Sequence, residues 1–400
     1  MSQKVKIAVC NRRTDKKYKN QEIDWQYIVS RNKNPVRTSE TAEEYPKLPK
    51  EQRSNLKDIG GLVGGWLKGG IRKNGNVLFR TVGLLDADHV PAGFDFCGAV
   101  RKEFGDLTYF IYSTHSHTSD NPRYRLVILL SREVSEDEYP ALMRMVAKQI
   151  GMDFFDDSTY QANRMMYWAS CPSNGEFVFE EQLGQPLDVD KFLSMYKDWR
   201  DITQWPTSSR QSEVIKKETT TQKNPLEKEG TVGVFCRAYP TIQEVIEEFL
   251  SDIYAPTASP NRYDYLKADS IAGVVIYDDI FAYSHHTSDP ACGRLLNGFD
   301  LVRIHRFGDL EEKKSFNAMC EFALSLEKVK LQIATERRER AELEFESTEN
   351  WESLLKYQPR SNVLENSVWN EMLILNNDPD YANFAFNEMA NRIQVTGPLP

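Results

Sequence analysis

Residues 82–89 read Val-Gly-Leu-Leu-Asp-Ala-Asp-His, a short apolar run that ends in two acids one residue apart. An apolar run of this length predicts a buried strand, and strand side chains alternate faces, so Asp86 and Asp88 leave its carboxyl end on the same side. Two carboxylates held together repel each other unless a cation neutralises them. A D-x-D after a buried strand is therefore a candidate divalent-metal site, with a turn of solvated acids as the competing reading.

Working outward, Thr108–Ser113 (TYFIYS) is an aromatic, β-branched strand that runs into Thr114-His115-Ser116-His117-Thr118, a short turn and a second strand from Tyr124 to Leu130. That is a hairpin with histidines at its mouth. Arg123 and Arg125 flank Tyr124, and one of them is expected to face the hairpin's polar side, where hydroxyls, imidazole and guanidinium make a phosphate-oxygen cradle. Ser135–Ile150 reads as a helix with Tyr139, Leu142, Val146 and Ile150 on one face. Beyond Gly151 a third acid, Asp156 or its neighbour Asp157, precedes Asn163-Arg164 and another apolar strand. Three carboxylates holding two hard cations suit nucleotidyl transfer or phosphodiester hydrolysis.

The rest of the chain sets the frame. Its 400 residues, 40% hydrophobic and 27% charged, have globular composition and room for two or three domains. With 50 Lys and Arg against 59 Asp and Glu the net charge is −9, which argues against coating nucleic acid by bulk attraction but leaves room for a basic groove on an acidic body. The six cysteines form no C-x-x-C pair, so neither a disulfide framework nor structural zinc is expected. His285-His286 with Asp289 and Cys292 is poor zinc spacing and reads as structural hydrogen bonding. There is no phosphate-binding G-x-x-x-x-G-K-[ST] loop, no run of eighteen apolar residues and no secretory signal at the amino terminus. A reduced, soluble, cytoplasmic protein of a bacterial cell, without membrane contact, is the expectation.

The acid pair, the Ser-His ending of the hairpin, and the Asp156 segment followed by Asn163-Arg164 together resemble the three motifs of archaeo-eukaryotic primases. Lys57-Asp58-Ile59-Gly60-Gly61-Leu62-Val63-Gly64-Gly65, the strand pair STHSHT…PRYRLVILL and Tyr283–Ala291 are similar to the primase part of phage and mobile-element primase-helicases of the virulence-associated protein E kind. The resemblance covers roughly residues 1–310. It implies an α+β fold of primase-like mixed sheets with flanking helices, a small accessory α/β domain and a helical carboxyl-terminal segment.

The domains expected are a primase-polymerase catalytic domain over 1–205, a flexible polar linker over 206–230, an accessory domain over 231–310 with a helix around Thr241–Leu250 and strands near Gly273–Tyr277 and Leu301–Ile304, one long amphipathic helix over 311–348, and a helical segment over 349–400 leading toward a helicase part absent from this chain. The activity implied is DNA-templated joining of nucleoside triphosphates on single-stranded DNA with Mg²⁺ or Mn²⁺. A metal-dependent nuclease, or a non-catalytic module that binds single-stranded DNA or an origin, are the alternatives. Carried over residue by residue, Asp86, Asp88 and Asp156, with Asp157 as the other choice, would be the catalytic and metal-holding acids. His117, Arg164, Ser116, His115 and Arg125 would contact the nucleotide, His117 being the first choice for the motif histidine and His115 the second. Lys68, Arg72, Lys73 and Arg80, set among glycines, are the candidates for nucleic-acid phosphates, with a solvated loop as the equal alternative.

Overall fold

The computed structural model describes residues 3–211, 222–344, 351–358, 361, 363–381, 384–387 and 392–395. It is an α+β structure in two compact units, Met1–Glu321 and Phe322–Pro400.

The first unit is built on the strand read first. In chain order its elements begin with β1 (Lys4–Cys10), β2 (Lys19–Asp24), α1 (Trp25–Lys33), β3 (Gly61–Val63), β4 (Gly65–Leu67) and β5 (Val77–Ala87). They continue with α2 (Phe96–Phe104), β6 (Tyr109–Ser113), β7 (Tyr124–Val134), α3 (Glu138–Ile150), β8 (Met166–Tyr167) and β9 (Phe179–Gln182). One sheet has the order β9-β6-β7-β5-β4 and a second has the order β2-β1-β3-β8. All strand pairs in both are antiparallel.

The run Val82–Leu85 within β5 is apolar without alternation because both faces of its sheet are covered. Leu85, Ala87, Tyr109, Ile111, Leu126 and Ile128 pack in one cluster with Phe96 and Val100 of α2 and Tyr139, Leu142 and Val146 of α3. Val82, Leu84, Phe110, Tyr112, Val127 and Leu129 pack in the other with Val5 and Ile7 of β1 and Trp25 and Ile28 of α1. Each such side chain contributes roughly 1.5–3 kcal/mol on burial, and cutting Leu126, fully buried at the centre, to Ala would cost about 2–5 kcal/mol. The glycines of the GGLVGG run serve this crowding: a Cβ on Gly65 would lie 1.8 Å from the Phe79 carbonyl oxygen, and one on Gly61 2.3 Å from that of Met166.

A register shift between Arg80 and Val82 marks a bulge in the β5–β7 ladder. Beyond it Asp86 lies opposite Arg125 and Ala87 opposite Tyr124, while Arg125 lies opposite Tyr112 on β6. Period-two alternation then places both Arg123 and Arg125, not one of them, on the face that carries Asp86.

The accessory part comprises α4 (Gly230–Ala238), α5 (Ile242–Phe249), β10 (Tyr254–Pro256), β11 (Arg262–Tyr265), β12 (Val274–Tyr277), β13 (Phe281–Ser284), β14 (Leu295–Leu296) and α6 (Gly298–Phe307). Its five strands pair in sequence order as an antiparallel meander. Leu301–Ile304, read from sequence as a strand, lies inside α6. The Asn297 side chain caps that helix by accepting from Asp300 N, and Phe299, Leu301 and Val302 are buried while Arg303 pairs with Asp300 and Arg306 donates to the Phe249 carbonyl. A short apolar run does not distinguish strand from helix; the cap does.

The accessory sheet belongs to the same compact unit as residues 1–205. Asp137, just before α3, is 3% exposed. Its carboxylate accepts hydrogen bonds from Asp269 N at 3.1 Å, Ser288 N at 3.1 Å and Ser288 Oγ at 2.7 Å. The segment expected as a flexible linker is tied down at both ends: Arg210 donates to the Asp153 and Phe155 carbonyls, and Gln222 donates to the Leu295 carbonyl. Its middle, 212–221, lies outside the described residues.

The long helix expected over 311–348 is two, α7 (Glu312–Ser325) and α8 (Glu327–Glu344), with a break at Leu326. There Leu326 N turns to the Ala323 carbonyl and Ser325 Oγ donates to that of Phe322, a local bond that competes with helix continuation. Residues 345–348 lie outside the described residues. Of the segment expected to be helical after 349, α9 (Val368–Asn377) is a helix, but Phe384–Asn387 and Arg392–Val395 form an antiparallel strand pair. No helix among the described residues is long and apolar enough to cross a membrane.

Candidate active site

The carboxyl end of β5, the start of β7 and the hairpin mouth open into a cleft of about 470 Å³ lined by Arg13, Thr14, Lys57, Arg72, Asp86, Asp88, Thr114, His115, Ser116, Arg123, Arg125, Arg164, Met165, Tyr167 and Ser170. The strand ladder sets the pairs at its floor. Arg125 Nε donates to Asp86 Oδ1 at 3.2 Å, and Arg123 Nη1 to Asp88 Oδ1 at 3.2 Å. Burial pushes the Asp86 carboxyl up; Arg125 opposes this, and the charges of Asp88 and Asp156 add to it. Burial lowers the Lys57 ammonium with help from Arg125, while Asp86 and Asp88 pull it back up.

The expected third carboxylate sits on a loop docked at the end of β5 and is engaged by its own turn. Asp156 N donates to the Asp86 carbonyl at 2.9 Å, and Thr159 Oγ1 accepts from Asp86 N at 2.9 Å, so this loop docks on the end of β5. The Asp156 carboxylate accepts from Ser158 N at 2.7 Å and from the Ser158 hydroxyl, as the cap of a short 3₁₀ turn. Asp157 faces elsewhere: both its oxygens accept from Ser208 Oγ, and it lines a different pocket. Among the described residues no group of three or more His, Cys, Asp or Glu is gathered so as to hold a metal ion. Asp86 and Asp88 are brought together; Asp156 and Asp157 do not join them.

The two histidines also part. His115 lines the cleft, its Nδ1 2.9 Å from Ser170 Oγ and its Nε2 2.8 Å from Glu40 Oε1, with the ring against Tyr45. Burial lowers its pKa, and the Glu40 carboxylate offsets part of that. His117 is not in the cleft lining. Its Nδ1 accepts from Arg123 N at 3.1 Å and its ring packs on Tyr124, so it fixes the turn into β7.

Of the four candidates for nucleic-acid phosphates, Arg72 lines the cleft and stands over the Tyr18 ring, and Lys68 is exposed outside it. Lys73 pairs with Asp309 at 3.1 Å. Arg80 does not fit that role. It is fully buried, donating to the Ala162 and Val82 carbonyls and to Tyr139 Oη, and holds α3 to β5.

Lys57, Arg13, Tyr167, Ser170 and Glu40 were not singled out from sequence. Lys57 had a signal, a lysine immediately before a glycine-rich strand. The others come from segments whose distance along the chain from the acid pair gives no cue. His286, as read from sequence, is structural: Nδ1 is 2.8 Å from Ser270 Oγ, and Nε2 accepts from Tyr265 N and Gly273 N.

The Asp86–Asp88 pair suits a hard divalent cation. Mg²⁺ is commonly held by one or two carboxylates together with substrate phosphates instead of by a closed protein cage, and Asp86 is half-buried beside a second carboxylate whose charge it feels.

The VapE N-terminal domain model matches residues 1–208. No curated protein matches the chain. Among solved structures, the AEP domain of the cyanophage S-2L primase-polymerase is 13% identical with a TM-score of 0.27, covering 48% of this chain and 88% of that one. The primase RepB′ is 11% identical with a TM-score of 0.26, covering 84% and 94%.

Proposed function

The chain belongs, over residues 1–208, to the VapE N-terminal domain family, and we propose that its cleft binds a nucleoside triphosphate and transfers the nucleotidyl group to a DNA-paired 3′-hydroxyl. One observation carries the reading: six cationic side chains, Arg13, Lys57, Arg72, Arg123, Arg125 and Arg164, surround just two carboxylates, Asp86 and Asp88. That excess of positive charge matches a polyanionic ligand, and the paired carboxylates at its centre match the cation such a ligand carries. The motif resemblance of the acid pair and the hairpin points the same way.

Asp86 and Asp88 would hold Mg²⁺ or Mn²⁺, which when bound would supply charge neutralisation at the transferring phosphoryl group. Arg125 and Arg123 orient the two carboxylates through the hydrogen bonds they donate. Arg164, Arg72 and Lys57, which line the cleft, would neutralise phosphate oxygens, and His115, locked between Glu40 and Ser170, would offer a fixed imidazole on the cleft wall. Fixed donors of this kind help most where charge develops in the transition state.

The test is triphosphate affinity in the presence of Mg²⁺, measured by calorimetry. Asp88→Asn and Arg164→Ala should each weaken it at least tenfold. His115→Ala should weaken it several-fold, whereas His117→Ala, outside the cleft, should stay within about twofold in any variant that folds. Wild-type affinity in Asp88→Asn and Arg164→Ala would reject this cleft as the nucleotide site.

A further inference from the structure

A second pocket, of about 220 Å³, lies between the loop that carries Asp157 and the accessory sheet's β13–β14 connection, away from the cleft. Its lining includes Arg144, Asp157, Tyr160, Trp205, Tyr283 and His285. Arg144 is 7% exposed, and its Nη1 donates to the Pro206 carbonyl at 2.8 Å and to Gln211 Oε1 at 3.1 Å. Its guanidinium stands 4.5 Å over the Tyr160 ring. Its Nε is buried without a hydrogen-bond partner, and among the described residues it forms no ion pair. Arg144 thus brings to the pocket wall a buried positive charge answered by neutral acceptors and a ring, and a further acceptor from a ligand would stabilise it there.

Two further groups narrow what that acceptor is. Asp157 is the one carboxylate in the lining among the described residues, engaged by a single hydroxyl, Ser208 Oγ, with lone pairs to spare. His285 packs on Tyr283 at 4.8 Å, and burial together with the Arg144 charge drives its pKa down to about 3, so it is a neutral imidazole. A simple oxyanion would answer Arg144 but set its charge against Asp157 and among aromatic rings. A planar heterocycle with acceptors on one edge and donors on another answers both. Guanine has that pattern, with O6 and N7 as acceptors and the exocyclic N2 amine, beside N1–H, as donors, whereas adenine offers an amine donor where guanine has O6. The volume is below the ~300–1,000 Å³ of sites that enclose whole drug-sized ligands, so it suits a base whose sugar and phosphate remain outside.

We propose that this pocket is a guanine-recognition site, with Arg144 donating to the acceptor edge, Asp157 accepting from the donor edge, and Tyr160, Trp205 and Tyr283 walling the ring. It does not rest on the reading of the cleft. Asp157 follows Asp156, whose backbone N–H is bonded to Asp86, so an occupant would contact the loop docked on the end of β5.

The test uses the full chain in EDTA without divalent metal, with guanosine, adenosine and xanthosine monophosphates as probes in calorimetry and inorganic phosphate as competitor. The wild type should bind the guanosine nucleotide at least tenfold more tightly than the adenosine one, and millimolar phosphate should not displace it. Asp157→Asn, which keeps the side chain's size, should reverse the preference toward xanthosine, because xanthine carries an oxygen where guanine carries the amine. Displacement by free guanosine would identify a nucleotide as the source of the base; displacement only by a guanine-containing single strand would identify nucleic acid. Equal affinity for guanosine and adenosine nucleotides, displacement by phosphate, or an unchanged preference in Asp157→Asn would each overturn the proposal.

Discussion

Arg80 and Glu136 show how far residue type alone can mislead. An arginine among glycines reads as a phosphate contact, yet Arg80 spends its donors on two backbone carbonyls and the Tyr139 hydroxyl. Arg80→Met would strand those acceptors, at about 1–3 kcal/mol for each group left unsatisfied. It should therefore lower the urea midpoint sharply and leave DNA affinity per folded molecule unchanged. Glu136 carries no sequence signal. It is 8% exposed, and burial pushes its carboxyl up to about 8 against the N–H groups of Gly75 and Val77 that donate to it. The native state thus keeps a proton that the unfolded chain releases near the ordinary value of 4.5, so stability should fall as pH rises from about 4.5 to about 8. The slope for one group is at most about 1.4 kcal/mol per pH unit. Urea unfolding at pH 6 and pH 8 should show that loss in the wild type and a flatter response in Glu136→Gln; equal slopes would remove Glu136 as the cause.

At the scale of elements, what was legible came from patterns that a single element imposes. The buried run before Asp86 and the two hairpin strands follow from side-chain period and stand where that period put them; α3 is a helix too, but it is buried all round from Tyr139 to Ala147 instead of on one face. What failed depended on a neighbour. Leu301–Ile304 is helical because Asn297 caps it, and the expected long helix breaks where Ser325 bonds back to Phe322. The site divides the same way. Asp86 and Asp88 share a face by strand period, but the side chains of Asp156 and Asp157 are engaged by Ser158 and Ser208, and that of His115 by Glu40 and Ser170, which lie far off along the chain.

For the whole molecule, Asp137 is one of several ties between the accessory sheet and residues 1–205, beside Ser135 Oγ on Asp269 and the Ile271 backbone on Arg200 and Ile202. Asp137→Ala would strip three hydrogen bonds from a buried position, and at about 0.5–1.5 kcal/mol each, more where an ionised acceptor is involved, the loss should be several kcal/mol. Urea denaturation of the full chain checks this, and an unchanged midpoint would show that other contacts carry the joint. The larger claim is that the arginine-rimmed Asp86–Asp88 cleft joins nucleotides. The most direct measurement is incorporation of labelled nucleoside triphosphate on a single-stranded DNA template with Mn²⁺ or Mg²⁺, run for the wild type and for Asp88→Asn. Labelled product is expected from the wild type and at least a hundredfold less from Asp88→Asn; shortening of the DNA without incorporation, or equal product from both proteins, would rule out nucleotide joining at this cleft.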